Sequence, residues 1–182
     1  MSRPVTGAAS ERTHCCRCGR RCVTGDSPAP ECPVHGPQWE YIRNAPCAAV
    51  IVTAPDGRIA LGRRVIEPWS GWWEIPGGFS DLGEHPADTA VREAREELGL
   101  DVVLDALVGV YLHGVPGDAS GAEWRQVTLY TGRSGGELRP DPTEVSEAAW
   151  FDPAALPGDT SPDHRRRIED LAAGRTPLQV GR

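Results

Sequence analysis

Residues 77–100, GGFSDLGEHPADTAVREAREELGL, decide the fold because they contain one amphipathic helix with a clear start and end. Pro86 suits the first position of a helix, and Gly99 suits the position just past the last turn, so the spacing predicts a helix between them. At 100° per residue, five apolar side chains fall on one side of this helix, where we expect them to pack on a core. They are Ala87, Ala90, Val91, Ala94 and Leu98.

A different side of the same helix gathers three carboxylates. Glu93, Glu96 and Glu97 lie three and four residues apart, and like charges at these spacings cost a helix roughly 0.2 to 0.5 kcal/mol per pair. A divalent cation such as Mg²⁺ would offset that cost, because it prefers oxygen ligands and is usually held by one or two carboxylates together with substrate phosphates. Arg92 and Arg95 could instead neutralise a solvated face, so the helix alone leaves both interpretations open.

The residues around the glutamates resemble the signature of the Nudix hydrolases, G-x5-E-x7-R-E-U-x-E-E-x-G-U, in which U is aliphatic. The matching positions are Gly78, Glu84, Arg92, Glu93, Ala94, Glu96, Glu97, Gly99 and Leu100. Ala94 is a small occupant of an aliphatic position and the only mild departure. A match at so many fixed positions is far more specific than a short glycine motif.

The resemblance implies the Nudix fold, an α+β domain in which a mixed sheet is sandwiched between helices as α/β/α layers. Enzymes of this family cleave a nucleoside diphosphate linked to a further group, using Mg²⁺ or Mn²⁺. The resemblance assigns the metal ligands to Glu93, Glu96, Glu97 and the Gly77 carbonyl. It also implies that Glu84 supports the loop or binds metal through water, and that Arg92 orients a glutamate by a salt bridge.

A general base is expected either among the signature glutamates or on a later loop. Glu144 and Glu147 are the candidates on that loop, and we favour Glu144 over Glu147, although both could be ordinary exposed acids. The reaction explains why several carboxylates are useful. Cations neutralise the pyrophosphate, acidify a water molecule and bridge the phosphate oxygens during an in-line displacement.

The N-terminal part of the chain holds five of the six cysteines, between positions 15 and 32. The segments 15–19 and 32–36 repeat one pattern of ligand, two residues, ligand and glycine, and two such turns facing each other predict a zinc ribbon with a tetrahedral Cys3His site. Its ligands would be Cys15, Cys18, Cys32 and His35. Residues that could replace one of them are His14, Cys16 and Cys22. We expect a structural Zn²⁺, because so short a module cannot build a core of its own.

Length and charge limit the remaining possibilities. The 182 residues suffice for one ordinary domain and an appendage, and the net charge of −7 argues against a broad nucleic-acid or anionic-membrane surface. No signal peptide or membrane span is recognisable, so we expect a cytoplasmic protein with a nucleotide substrate, and a homodimer stays open. The expected parts are a disordered tail (1–12), the zinc ribbon (13–38), the Nudix domain (39–175) and a second tail (176–182).

The rest of the chain alternates apolar runs with turns, which predicts strands around the central helix. The predicted strands cover residues 47–54, 58–64, 102–112, 124–132 and 147–151. Ser161 followed by Pro162 predicts the start of a second helix that runs to about Ala173. Its apolar side is expected to comprise Ile168, Leu171 and Ala172. Its solvent face is expected to carry Arg165, Arg166 and Arg167.

The sequence gives less information about the identity of the substrate. A zinc ribbon before a Nudix domain resembles the layout of bacterial NADH pyrophosphatases, but their SQPWPFP array is absent. Pro116 follows Leu100 by sixteen positions, which resembles the ADP-ribose pyrophosphatases, and it lies in a loop, 113–123, that we expect to contact ligand. We therefore favour ADP-ribose or a related nucleotide sugar. NADH or another dinucleotide, and a non-catalytic nucleotide sensor with the zinc ribbon as partner-binding module, are the alternatives.

Overall fold

The chain divides into two compact units, Met1–Arg43 and Asn44–Arg182. The computed structural model describes residues 13–15, 17–23, 30–37, 45–67, 69–115 and 123–175. Within these ranges no helix is both long enough and apolar enough to cross a membrane. Cys16 and Pro116, which the sequence offered as a spare zinc ligand and as a substrate indicator, lie outside the described residues.

The smaller unit contains a two-stranded antiparallel sheet, formed by β1 (Glu31–Cys32) and β2 (Gly36–Pro37). Gly36 closes this hairpin with a φ of 69°, and Gly19 has a φ of 67°, both in the left-handed region that favours glycine. Cys15, Cys22 and Cys32 form the buried cluster of this unit. The predicted pattern of ligand pairs continuing through glycine thus corresponds to two tight turns.

The larger unit is built on one mixed sheet of seven strands. They are β3 (Ala45–Thr53), β4 (Ile59–Arg64), β5 (Trp73–Glu74), β6 (Gly77–Phe79), β7 (Val103–Val115), β8 (Glu123–Arg133) and β9 (Val145–Phe151). The main strand order is β5-β4-β3-β8-β7, with β6 also paired to β3 and β9 to β4. The β3–β8 pair is parallel and the others are antiparallel. The mixed sheet of the predicted fold class is confirmed.

The helix α1 (Pro86–Leu98) covers one face of the sheet, as the sequence predicted. Ala90, Ala94 and Leu98 are completely buried against a core that includes Val50 and Val52. The backbone N–H of Gly99 donates to the carbonyls of the last turn, and its φ is 70°, so the predicted end of the helix is confirmed. The start carries an additional cap, because the His85 side chain accepts a hydrogen bond from the Ala87 backbone at 3.1 Å.

The helix α2 (Pro162–Ala172) covers the opposite face, where Ile168 joins a core with Ile51, Leu61 and Leu129. The two helices therefore complete the predicted α/β/α sandwich. The prediction that Arg167 lies on the solvent face is wrong, since only 4% of the residue is exposed. Arg167 precedes Leu171 by one helical turn, which places both on the side of the helix that faces the sheet.

Two boundaries differ from the prediction in a way that affects the ligand-contacting loop. β7 continues to Val115 and β8 begins at Glu123, so the ends of the predicted loop 113–123 are paired strand. Its centre, residues 116–122, lies outside the described residues. The short strands β5 and β6 were not predicted, because segments of two or three residues show no periodicity.

Candidate active site

Two glycines at the start of β6 bring the backbone against α1. Gly77 and Gly78 pair with Ala49 and Ala48 of β3. A Cβ added to Gly78 would lie 2.5 Å from a carboxylate oxygen of Glu93, closer than real Cβ contacts permit. Glycine at this position therefore allows a carboxylate of the helix to reach the backbone of the neighbouring strand.

Glu97 is the most strongly perturbed carboxyl group of this region. Its Oε2 accepts a hydrogen bond from the backbone N–H of Gly77 at 3.1 Å. The pKa of Glu97 is raised to about 8, chiefly by burial and also by the carboxylates of Glu93, Glu144 and Glu74, while the hydrogen bond from that N–H acts to lower it. The group lies where negative charges converge with little water to screen them.

Glu93 is similarly poorly solvated, with 8% of the residue exposed. Burial is the main cause of its raised pKa, and Arg92 acts in the opposite direction. Glu96, in contrast, is exposed. Exposure to solvent thus increases from Glu93 through Glu97 to Glu96. A cation bound between Glu93 and Glu97 would meet two carboxyl groups with few competing water molecules.

Arg92 connects these carboxylates to the preceding loop. Its Nη1 donates to Glu93 Oε1 at 2.7 Å and to Glu96 Oε2 at 2.8 Å. Its Nε donates to Glu84 Oε1 at 2.9 Å, and its Nη2 donates to the Phe79 carbonyl, also at 2.9 Å. One planar guanidinium group therefore fixes the orientation of two signature glutamates relative to β6.

Glu84 serves the loop between β6 and α1. Its Oε2 accepts hydrogen bonds from the Asp81 backbone at 2.9 Å and from the Thr89 hydroxyl at 2.8 Å. Together with Arg92, whose hydrogen bonds are the largest cause, these contacts lower the pKa of Glu84 to about 2. Of the two roles that the resemblance implied for Glu84, the observed contacts favour support of the loop.

The two candidate bases on the later loop differ in position. Glu144 lines a cavity of about 20 Å³ together with Glu97, Glu74 and Arg64, which is room for about one water molecule. Glu147 lies outside that cavity and forms an exposed ion pair, in which its Oε2 is 3.6 Å from Nη1 of Arg63. The structure thus brings Glu144, and not Glu147, to the signature glutamates.

Glu74 is a residue of this region that the sequence analysis missed. It lies 3.6 Å from Arg64, and burial raises the pKa of its carboxyl group. Its only sequence signal is an acid inside the apolar run that precedes Gly77. The donor set as a whole suits Mg²⁺ or Mn²⁺, because it consists of carboxylate oxygens whose charge Arg92 and Arg64 only partly balance.

The predicted zinc ligands converge in the smaller unit. The ligand atoms of Cys15, Cys18, Cys32 and His35 all lie within 4.8 Å of one another. The sulfurs of Cys18 and Cys32 are 3.8 Å apart, which is about the spacing of two thiolates on a tetrahedral zinc ion with Zn–S bonds of about 2.3 Å. Hydrogen bonds, chiefly from the Val34 backbone, lower the pKa of Cys32 to about 6. A thiol with a lowered pKa is more readily ionised, and the thiolate is the form that binds a metal ion.

Comparison with known proteins identifies the larger unit. A sequence model of the NUDIX domain matches residues 43–171. The chain belongs to the Nudix family. It is a Nudix-type diphosphatase, and members of this family act on nucleotides with divalent metals such as Mg²⁺.

Similar proteins carry different substrate names. The chain is 30% identical over 137 residues to an RNA pyrophosphohydrolase of Novosphingobium aromaticivorans, covering 66% of this chain and 85% of that one. It is 33% identical over 115 residues to an ADP-ribose pyrophosphatase of Methanocaldococcus jannaschii, covering 63% and 66%. A Nudix hydrolase structure from Nitrosomonas europaea superposes with a TM-score of 0.68 at 23% identity, covering 90% and 94%, and this likeness concerns the fold alone.

Proposed function

We propose that this Nudix hydrolase uses Mg²⁺ or Mn²⁺ to cleave the pyrophosphate bond of ADP-ribose or a related nucleotide sugar. The observation that carries the proposal is the pair of poorly solvated carboxyl groups, Glu93 and Glu97, held against the Gly77–Gly78 backbone. Two poorly solvated carboxylates placed side by side repel each other at a cost to the fold, and a cation bound between them would offset that cost. Glu93, Glu96, Glu97 and the Gly77 carbonyl would hold that cation.

Each remaining residue of the site has a distinct task in this proposal. A bound divalent cation supplies neutralisation of the pyrophosphate and a more acidic water molecule. Arg92 keeps the carboxylates of Glu93 and Glu96 in place through hydrogen bonds of 2.7 and 2.8 Å. Glu144 lines the same cavity as Glu97, so it is our candidate for the base that takes the proton of the attacking water.

The choice of ADP-ribose rests on the sequence and on one relative. The similar protein from Methanocaldococcus jannaschii is an ADP-ribose pyrophosphatase, and the array typical of NADH pyrophosphatases is absent from the chain. The relative from Novosphingobium aromaticivorans acts on RNA. The net charge of −7 disfavours an extended polyanion over a small nucleotide.

Hydrolysis of a substrate panel tests this proposal. Purified protein with Mg²⁺ is incubated with ADP-ribose, a nucleotide sugar, NADH and a triphosphorylated RNA, and both products of each reaction are identified by chromatography. We expect ADP-ribose to give AMP and ribose 5-phosphate at the highest kcat/KM. A higher kcat/KM for NADH or RNA would identify a different substrate, while hydrolysis of a pyrophosphate bond would remain the reaction. Binding of ADP-ribose without any product would favour a nucleotide sensor.

We further propose that Cys15, Cys18, Cys32 and His35 hold one structural Zn²⁺ and thereby staple the smaller unit. Metal analysis of the purified chain should give close to one zinc per molecule. Cys32→Ser should remove most of it, because a structural site loses a thiolate ligand. Cys47→Ala is the matched control, since Cys47 is a buried cysteine of the other unit. Full zinc content in Cys32→Ser would exclude this ligand set. Thiolate ligands of this kind also suit the reducing cytoplasm.

A further inference from the structure

Two arginines of the larger unit have no carboxylate partner within the part of the chain that the structure describes. Among the described residues from 45 to 175, every other arginine places a guanidinium nitrogen within 4.0 Å of an Asp or Glu oxygen. Arg125 and Arg167 form no such pair with any described residue. In a chain with 26 acidic and 19 basic residues, this selective lack of counter-charge requires an explanation.

Arg167 is the more deeply buried of the two, with 4% of the residue exposed. Its guanidinium carbon lies 5.0 Å from the centre of the Tyr111 ring. The nearby Asp163 is already bound to His113. Burying an arginine is costly because its guanidinium keeps its charge at any pH that a folded protein experiences.

Arg125 has a similar environment at the start of β8. Its guanidinium carbon lies 4.7 Å from the centre of the Phe79 ring. Its Nε is buried and has no hydrogen-bond partner among the described residues. A buried donor without an acceptor is rare in native proteins and marks either a cost to the fold or a missing ligand atom.

The two guanidinium groups lie on the same face of the sheet, because Tyr111, whose ring Arg167 covers, pairs with Val127, two residues along β8 from Arg125. Burial raises the pKa of Cys47 and of Glu74, and both arginines act in the opposite direction on each group. Neither residue supplies the missing counter-charge, because burial raises the pKa of the Cys47 thiol and Glu74 is paired with Arg64. Phe79, which carries the ring under Arg125, is paired with Cys47 and directly follows Gly78.

We propose that Arg125 and Arg167 together bind one phosphate group of the substrate and position it beside the carboxylate cluster. This inference rests on the proposed hydrolysis of a nucleoside diphosphate. The parallel N–H donors of a guanidinium group match the oxygens of a phosphate. The aromatic rings of Phe79 and Tyr111 would hold the guanidinium groups of Arg125 and Arg167 in place. The phosphate would supply the negative charge that neither arginine finds among the described residues, and the acceptor that Arg125 Nε does not find there.

The bound phosphate could belong to the nucleoside half of the substrate or to the other half. Isothermal titration without Mg²⁺ distinguishes them, with AMP, ribose 5-phosphate and phosphate-free adenosine as probes. We expect Arg125→Gln and Arg167→Gln to weaken binding of one of the two phosphate monoesters about tenfold and to leave adenosine binding unchanged. Arg133→Gln is the control, because Arg133 is exposed and paired with Asp105.

Steady-state kinetics then links the phosphate to turnover. In the same variants KM should rise about tenfold while kcat stays within about twofold, as expected for a positioning residue that binds ground state and transition state alike. Unchanged monoester binding in Arg125→Gln, which alters a partly exposed residue and should fold, would overturn the proposal. Weaker monoester binding with unchanged KM would also overturn it, since the anion would then bind outside the substrate path. Failure of the wild type to hydrolyse any nucleotide despite this binding would contradict only the proposed reaction.

Discussion

Replacing Glu97 with Gln should lower kcat by about a thousandfold or more, since removing a ligand of a catalytic cation costs several kcal/mol of transition-state stabilisation. The folded protein should tolerate the change. Burial already favours the uncharged carboxyl group at neutral pH, and the amide oxygen of Gln can still accept the hydrogen bond from Gly77. Steady-state hydrolysis and a thermal melt of the same sample provide the measurement.

Glu147→Gln is the matched control for that experiment. Glu147 is exposed and pairs with Arg63, so its substitution should leave kcat within about twofold, as is usual for surface changes away from the reacting groups. If Glu97→Gln kept full activity, the signature helix would have no role in the chemistry.

Gly78→Ala should lower kcat by about a hundredfold, the loss that a displacement of about 1 Å can cause in a catalytic group. The added Cβ would lie 2.5 to 2.6 Å from the carboxylate atoms of Glu93. A carboxylate at the end of a side chain can swing away at little cost to folding. We therefore expect a large loss of activity with a small change in melting temperature.

Gly77→Ala offers an informative contrast. There the added Cβ would meet the Ala48 carbonyl oxygen at 2.6 Å and the Ala49 Cβ at 2.5 Å, and these atoms belong to a central strand that cannot swing aside. This substitution should lower the melting temperature itself. Full activity in Gly78→Ala, or equal loss of stability in both variants, would show that Gly78 does not hold Glu93 in position.

The central helix was predictable from sequence because its signals are local. Pro86 and Gly99 mark its ends, and the spacing of Ala90, Ala94 and Leu98 marks its buried side. The position of Arg167 was not predictable in the same way. Its burial depends on the aromatic ring of Tyr111, which lies on a distant strand, and a run of arginines ordinarily indicates solvent.

The candidate site also combines features that the local sequence predicts with features that depend on the fold. The helical spacing of the glutamates was enough to group them, and the family signature added Arg92 and Glu84. The raised pKa of Glu97 was hidden from the sequence, because it results from burial by the fold around the helix and from repulsion by Glu74 and Glu144 of other segments. Long-range packing of this kind leaves no local pattern.

Titration of Mg²⁺ into the substrate-free protein at pH 6.5 and pH 8.5 tests the central claim most directly. In the metal-free folded protein the pKa of Glu97 is about 8, whereas the unperturbed carboxyl group has a pKa of 4.5. Stability of the metal-free protein should therefore fall as pH rises through that window, and Mg²⁺ binding at pH 6.5 must displace the proton. We predict tighter Mg²⁺ binding at pH 8.5 than at pH 6.5, proton release on binding at pH 6.5, and loss of both effects in Glu97→Gln. Mg²⁺ binding that is independent of pH and unchanged in Glu97→Gln would contradict the assignment of this carboxylate cluster as the metal centre.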